Sequence, residues 1–205
     1  MRLRQLEMVL QQVEGFDSPS ARREQYGTPA SLAARLLYHA LMRDDISGKR
    51  VHDLGCGTGI LSIGACILGA SSVKGIDIDE QAVARARKNA ESFGAEPEFI
   101  TGDIRDPEIL AKIGHCDTVI MNPPFGAQVA HADRPFIDAA LALGIVTYAI
   151  FNRGSSRFLE EYIHGRGEIQ EVVDVAFPMK RTFSFHKKDI QEIRVEIFVI
   201  RSMQH

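Results

Sequence analysis

The alternation of strands and helices between residues 50 and 164 constrains the fold of this chain more than any other feature. Short apolar runs take turns with stretches in which apolar side chains recur at helical spacing. The predicted strands are Arg50–Leu54, Ser72–Asp77, Glu98–Thr101, Asp117–Met121 and Ile145–Phe151. The predicted helices are Gly59–Leu68, Glu80–Phe93, Pro107–Ile113, Arg134–Ala142 and Ser155–His164. Strands separated by helices form a parallel sheet covered on both faces, which predicts a doubly wound α/β fold.

The last part of the chain departs from this alternation. Ile169–Phe177 and Glu192–Arg201 are two further predicted strands with no helix between them. Strands connected in this way pair in antiparallel fashion. The sequence therefore predicts a seven-stranded, mostly parallel sheet with an antiparallel pair at one edge.

The N-terminal residues precede the first strand and are predicted to be helical. One helix is expected from about Leu3 to Val13, and a second begins at Thr28-Pro29, with Thr28 as N-cap and Pro29 in the first helical position. No repeat or linker divides the chain. We therefore predict an N-terminal helical extension at residues 1–45, closing over a cofactor and substrate, and one compact domain at residues 46–205.

Composition excludes several classes of protein. The chain has 205 residues, of which 45% are hydrophobic and 25% charged, which is typical of a soluble globular protein. Three cysteines without a CxxC pair indicate a reducing compartment, and no histidine spacing suits a metal, so no metal site is predicted. The sequence shows no signal peptide or membrane span, which predicts a soluble cytoplasmic protein. A net charge of −3 neither indicates nor excludes nucleic-acid binding.

A glycine-rich segment joins the first predicted strand to its helix. Gly55, Gly57 and Gly59 have the spacing GxGxG, which allows a tight turn and a close approach of a ligand to the backbone. Asp77 ends the second strand and Asp103 follows the third, at the sheet edge where such folds bind nucleotides. The loop alone is equally compatible with a plain turn and helix cap. Together with the two acids it predicts a nucleoside-containing cofactor.

The segments DLGCGTG, GIDID and GDI together resemble the class I S-adenosylmethionine-dependent methyltransferases. The resemblance implies their Rossmann-like fold and S-adenosyl-L-methionine as cofactor. It also implies that the residues at three strand ends contact the cofactor, namely Asp53, Gly55, Gly57, Thr58, Gly59, Ile60, Asp77, Ile78, Asp103 and Ile104. By that resemblance Asp53 would support the loop and the amino group, Asp77 would hold the ribose, and Asp103 would meet the adenine.

Asn122, Pro123, Pro124 and Phe125 directly follow the fourth strand. Consecutive prolines stiffen the chain and hold the neighbouring groups in fixed directions. An amine conjugated to a ring is a poor nucleophile, and the Asn122 side-chain oxygen and Pro123 carbonyl can each accept one of its N–H groups and free its lone pair. Phe125 can stack on the ring. The alternative is a plain turn capped by Asn122, but beside the glycine loop these four residues are predicted to be catalytic, with Asn122 also reaching the cofactor.

Longer segments narrow the substrate. EQYGT at residues 24–28, LGCGTGILSIGA, MNPPFG and TFSFHKK resemble the small-subunit ribosomal RNA adenine-N6 methyltransferases of eukaryotes and their archaeal relatives, over nearly the whole chain. The resemblance implies methylation of an adenosine in ribosomal RNA, with Gln25, Tyr26 and Thr28 closing over the cofactor and Phe16 covering the substrate side. Gly27 stands where such relatives carry Pro. From the residues alone, the 25–28 segment reads as a turn leading into a helix.

Phe185, His186, Lys187 and Lys188 form a basic cluster that contains an aromatic residue. Lysines neutralise phosphates and Phe can stack on bases, so these residues are predicted to bind the RNA substrate. A solvated loop tip would have the same composition. The resemblance also implies a partner, a small zinc-binding activator protein that adds to the sheet edge and covers apolar surface.

Two other functions remain open at this point. A protein-glutamine N5 methyltransferase of a release factor shares the NPP-aromatic motif, but usually has Tyr in place of Phe125 and an additional N-terminal domain. A non-catalytic partner protein that only binds the cofactor is the second. The intact Asn122–Phe125 segment and Asp77 argue against it.

Overall fold

The computed structural model describes residues 1–17, 25, 27–125, 131–180 and 190–203, with the backbone alone at 177–180 and 190–193. The helices are α1 Leu3–Leu10, α2 Ala30–Met42, α3 Ile60–Ile67, α4 Glu80–Phe93, α5 Pro107–Ile113, α6 Arg134–Leu143 and α7 Ser156–Ile163. The strands are β1 Arg50–Leu54, β2 Ser72–Asp77, β3 Glu98–Thr101, β4 Cys116–Met121, β5 Gly144–Asn152, β6 Gly167–Lys180 and β7 Ile190–Ser202. None of these helices is both long and apolar enough to cross a lipid bilayer.

The seven strands form one sheet in the order β3-β2-β1-β4-β5-β7-β6. Strands β1 to β5 are parallel, and β7 runs antiparallel to both β5 and β6. The predicted seven-stranded α/β sheet with its antiparallel edge pair is thus confirmed. The strand order reverses between β1 and β4, which opens a crevice at the carboxyl ends of these strands.

Both faces of the sheet are buried because successive side chains of a strand point to opposite faces. On one face Val51, Ile120 and Tyr148 pack against α1, α2 and α3. On the other face Met121 and Phe151 pack against α5, α6 and α7. The sheet is thus a rigid support, and the polar residues that follow its strands are left at the carboxyl edge.

Two predicted helix ends need correction. α1 ends at Leu10 rather than Val13, because Leu6 and Leu10 carry its packing and residues 11–13 form a tighter turn. The prediction that Thr28 is the N-cap of α2 is wrong. Pro29 occupies that position with an extended ψ of 139°, so the helix begins at Ala30 and the Thr28 side chain makes no capping bond. The other boundaries agree with the sequence to within two or three residues.

Candidate active site

A cleft of about 1250 Å³ opens at the carboxyl ends of β1, β2, β3 and β4. It brings together most of the residues that the sequence predicts for the site, namely Phe16, Gln25, Thr28, Gly55, Gly57, Thr58, Ile60, Asp77, Ile78, Asp103, Ile104, Asn122 and Pro124. Asp53, Gly59, Pro123 and Phe125 lie outside its lining. Tyr26, Phe185, His186, Lys187 and Lys188 lie outside the described residues, so their roles stay predictions.

The glycine loop forms one wall of the cleft. Gly55 and Gly57 have φ angles of 75° and 52°, in the left-handed region that favours glycine. A Cβ atom on Gly57 would lie 3.0 Å from the Phe16 ring, and one on Gly55 would lie 2.9 Å from the Phe136 ring. The backbone of the loop is therefore packed directly against two aromatic side chains that also line the cleft, and only glycine fits there.

Asp77 connects the loops that follow β1 and β2. Its Oδ2 atom accepts a hydrogen bond from the Gly57 N–H at 2.9 Å, and its Oδ1 atom accepts one from the Asp79 N–H at 2.9 Å. A carboxylate offers about four lone-pair sites. Asp77 can therefore hold both loops and accept hydroxyl groups of a ribose at the same time.

Asp53 lies beneath the glycine loop and is 1% exposed. Its Oδ2 atom accepts hydrogen bonds from the backbone N–H of Ser62 at 3.0 Å and from the Ser62 hydroxyl at 2.6 Å. Its buried Oδ1 atom has no partner within the described part of the chain. Burial raises the pKa of Asp53 to about 7, the Ser62 hydrogen bonds oppose this rise, and the charge of Asp77 adds to it. A buried acceptor that lacks a donor fits the predicted contact with the cofactor's amino group.

The end of β3 carries an ion pair that the sequence analysis missed. Both carboxylate oxygens of Asp103 accept hydrogen bonds from Arg105, whose Nε lies 2.9 and 3.0 Å from them. The Arg105 guanidinium thereby holds the pKa of Asp103 below its ordinary value. Ile78, 53% exposed, and Ile104 lie nearby in the cleft lining. An ionised carboxylate beside two apolar side chains suits a flat base with an amino group.

Asn122 follows β4, which β1 separates from β2 and β3 in the sheet, so it lies across the cleft from these acids. Its Nδ2 atom donates a hydrogen bond to the Thr28 hydroxyl at 3.0 Å. Its Oδ1 atom is buried and finds no hydrogen-bond partner among the residues that the structure describes. The side chain thus presents a carbonyl oxygen that is ready to accept an N–H group.

The other residues of the motif are placed differently from one another. Pro124 lines the cleft, whereas Pro123 is buried below it. The half-buried Phe125 ring packs against the apolar cluster on the α1–α3 face of the sheet rather than lining the cleft. The stacking of Phe125 on the substrate ring therefore stays a prediction.

The N-terminal segment is fastened to α4 by two side chains that the sequence analysis also missed. Arg85 forms ion pairs with Glu14 and Asp17. The buried Asn89 amide accepts a hydrogen bond from the Glu14 N–H at 3.3 Å and donates one to the Glu14 carbonyl at 2.9 Å. It also donates to the Thr58 carbonyl at 2.9 Å. A polar residue on the otherwise apolar face of α4 was the available sequence signal.

These bonds join the N-terminal segment to the glycine loop and hold Phe16 over Gly57. We expect Asn89→Ala to lower the free energy of unfolding by about 2–4 kcal/mol, because it leaves the buried Thr58 carbonyl and the part-buried backbone N–H and carbonyl of Glu14 without their partner. Urea denaturation measures this. Glu91→Ala, an exposed change on the same helix, is the control and should stay within about 0.5 kcal/mol of wild type. Equal stabilities of the two variants would contradict the assigned role.

Gln25 fastens the next described part of the segment to the other side of the cleft. Its Nε2 atom donates a hydrogen bond to Asp79 Oδ2 at 2.7 Å, and Asp79 also caps α4 by accepting from the Gln81 N–H.

Among the described residues, no group of three or more His, Cys, Asp or Glu side chains could hold a metal ion.

Known proteins resemble this chain in sequence and in fold. The sequence profile of the ribosomal protein L11 methyltransferase (PrmA) family matches residues 26–122. The rRNA N(6)-adenosine-methyltransferase METTL5 of Danio rerio is 35% identical over 209 residues, which cover 96% of this chain and 97% of that protein. An uncharacterized protein of Methanocaldococcus jannaschii is 39% identical over 211 residues, covering 99% and 95%. The crystal structure of a candidate RNA methyltransferase from Pyrococcus horikoshii superposes with a TM-score of 0.89 at 35% identity, covering 98% of both chains.

Proposed function

Because the chain belongs to the family of S-adenosylmethionine-dependent rRNA N6-adenosine methyltransferases, we propose that it methylates the N6 amine of an adenosine in ribosomal RNA. One observation supports this reaction most directly. The buried Oδ1 atom of Asn122, which lacks a hydrogen-bond partner in the described part of the chain, lies at the cleft end opposite the acids of β2 and β3. An adenine amine supplies the N–H donor that this oxygen lacks.

The methyl group comes from S-adenosylmethionine, which carries it as an electrophile on a positively charged sulfur. The Asn122 oxygen and the Pro123 carbonyl each accept one N–H of the adenine amine and draw its lone pair out of conjugation with the ring. That lone pair then forms the new N–C bond while the bond between the methyl carbon and sulfur breaks. The sulfur would leave as neutral S-adenosylhomocysteine, and the cationic methylated nitrogen would release one proton to water, which restores the neutral amine.

The remaining predicted residues divide between cofactor and RNA. Asp77 holds the ribose, Asp103 with its neighbour Ile104 holds the adenine, and Asp53 holds the amino group. Phe16 covers the cofactor loop, since Arg85 and Asn89 fasten its segment there. The RNA is bound by Phe185, His186, Lys187 and Lys188. Phe125 stacks on the target base, for which its half-buried ring has to turn from the apolar cluster on the α1–α3 face toward the cleft.

The strands that flank residues 181–189 support the RNA assignment. Asn152, the last residue of β5, pairs with Val195 of β7, so the beginning of β7 lies beyond the carboxyl end of β5. β6 ends beside it, since Lys180 pairs with Ile190. The ends of β6 and β7 that flank residues 181–189 therefore lie on the side of the sheet where the cleft opens.

Cofactor affinity should depend on pH through Asp53. With a pKa of about 7, the carboxyl becomes ionised between pH 6 and 8, and the ionised form binds an ammonium group more strongly. We expect the affinity for S-adenosylhomocysteine to rise up to about tenfold over this range. Isothermal titration calorimetry measures it, and Asp53→Asn should flatten the profile. A wild-type profile as flat as that of Asp53→Asn would exclude this role.

The same rise in the pKa of Asp53 makes the folded state less stable as the pH increases, whereas it makes cofactor binding stronger. Because folding raises the pKa of Asp53 from 3.8 to about 7, the folded chain binds this proton more tightly than the unfolded chain. The contribution of Asp53 to stability therefore decreases as the pH rises from about 4 to about 7.

The proposed reaction is tested by transfer of labelled methyl groups to ribosomal RNA from a strain that lacks the gene. We expect label in N6-methyladenosine after digestion to nucleosides, and much less with RNA from the parent strain, whose site is already methylated. Label in a release factor but not in RNA would instead indicate a protein-glutamine methyltransferase. No transfer to either substrate would favour a non-catalytic partner protein.

We also propose that the enzyme works in the cytoplasm with a small zinc-binding activator that adds to a sheet edge. The outer strands of the sheet are β3 and β6, and Val172 on β6 is 41% exposed. Co-purification and size-exclusion chromatography with the activator candidate test the partner. A chain that is monodisperse, fully active and indifferent to the added protein would argue against it.

A further inference from the structure

We propose that Thr28 is a positioning residue for the methyl-transfer step. Its hydroxyl group holds the Asn122 amide so that the amide oxygen faces the substrate amine. This inference rests on the proposed function, and it differs from the role in cofactor binding that sequence resemblance implies for Thr28.

The first observation is how the Asn122 amide is shared. Its Nδ2 atom donates to the Thr28 hydroxyl at 3.0 Å, while its Oδ1 atom is buried with no partner among the described residues. The hydrogen bond fixes the plane of the amide and occupies its N–H side. The side that remains for the substrate is the acceptor, which is the only half of the amide that can bind an N–H group.

The second observation is that the Thr28 hydroxyl does not cap α2. A Thr before a helix ordinarily caps it, but here Pro29 is the N-cap residue, and among the described residues the hydrogen bond of the Thr28 hydroxyl is to Asn122. The hydroxyl instead reaches across 94 residues of sequence to Asn122. The Thr28 hydroxyl therefore binds Asn122 in place of capping the helix.

The third observation is that the segment around Thr28 is held at both ends. Gln25 is 9% exposed and bonded to Asp79 at 2.7 Å, and α2 packs its Leu32 and Leu36 into the core. Thr28 therefore occupies a fixed place between the ribose side of the cleft and the catalytic strand end. A fixed hydroxyl can orient a side-chain amide, whereas one on a loosely held segment cannot.

The test compares Thr28→Val, which removes the hydroxyl at nearly constant shape, with Thr28→Ser, which keeps it. We expect Thr28→Val to lower kcat for RNA methylation about 10- to 100-fold, because small misplacements of catalytic groups are this costly. The affinity for S-adenosylhomocysteine in calorimetry should stay within about threefold, and Thr28→Ser should restore most of kcat. A loss of affinity with unchanged kcat would overturn the proposal and make Thr28 a cofactor contact.

Thr118→Val is the matched control. Thr118 lies on β4, is fully buried and also spends its hydroxyl on one hydrogen bond, to the Asp45 carbonyl at 2.6 Å. It is not among the residues that line the cleft. Its replacement should reduce thermal stability at least as much as Thr28→Val does, yet leave kcat unchanged. If both variants lose kcat alike, the effect is one of folding and the proposal fails.

A measurement without turnover separates this proposal from the proposed function. The side-chain NH2 signals of Asn122 in an NMR spectrum are assigned by their loss in Asn122→Asp. In Thr28→Val these signals should shift and exchange faster with water, whereas in Thr28→Ser they should stay in place. Unchanged signals in Thr28→Val overturn the role of Thr28, and absence of N6-methyladenosine with wild-type enzyme overturns the proposed function alone.

Discussion

Asn122→Ala is expected to lower kcat for methyl transfer by about 100- to 1000-fold, the range observed when a single oriented hydrogen-bonding group is removed from an active site. The reason is the buried Oδ1 atom, which lacks a partner among the described residues and is the acceptor proposed to withdraw the amine lone pair from the ring. The measurement is single-turnover transfer of labelled methyl to ribosomal RNA. Cofactor affinity should change far less, because the acids proposed to bind the cofactor follow β2 and β3, which β1 separates from β4.

The control for this variant is Asn152→Ala. Asn152 is an exposed residue at the carboxyl end of β5, also at the end of a parallel strand, and it does not line the cleft. It should retain nearly full activity. An Asn122→Ala enzyme with a rate within about threefold of wild type would show that the amide oxygen takes no part in the reaction.

Asp77→Ala is expected to weaken cofactor binding at least about 100-fold, or about 2.7 kcal/mol. The substitution removes the acceptor for two backbone N–H groups, those of Gly57 and Asp79, together with the expected ribose contacts. Hydrogen bonds to a charged group contribute about 1.5–3 kcal/mol each. Titration calorimetry with S-adenosylhomocysteine measures the affinity directly.

Asp106→Ala provides the comparison for Asp77. Asp106 also follows β3 at the carboxyl edge and caps α5 by accepting a hydrogen bond from the Glu108 N–H at 2.9 Å, but it does not line the cleft. It should lose some stability and little affinity. Similar affinities for the two variants would remove Asp77 from the cofactor site.

The fold was largely predictable because each strand and helix has its own local pattern. Strands β1 and β2 and helix α4 agree with the sequence to the residue. The start of α2 was misjudged because the hydroxyl of Thr28 accepts a hydrogen bond from Asn122, the residue after β4, and local rules cannot anticipate a distant partner. The helix therefore begins without the side-chain cap that its sequence suggests.

The candidate site was predictable where it follows strand ends and not where it depends on packing. Asp77 ends β2, Asp103 lies two residues after β3 and Asn122 directly follows β4, so the topology alone gathers them at one edge. Asn89 meets Glu14 across 75 residues of sequence, and no local pattern on α4 names that partner. Phe125 shows the reverse case. Its place in the motif was evident from the sequence, but the packing of its ring against the core was not.

The strand order divides the sheet into two parts, one on each side of β4. Strands β3, β2 and β1 carry the acids and glycines of the cofactor side, whereas β5, β7 and β6 lie beyond the catalytic strand β4. The segment shared with a family named for a ribosomal protein ends at Asn122, the first residue after β4. The part of the chain that distinguishes it from that family therefore begins after β4, on the side of the sheet formed by β5, β7 and β6.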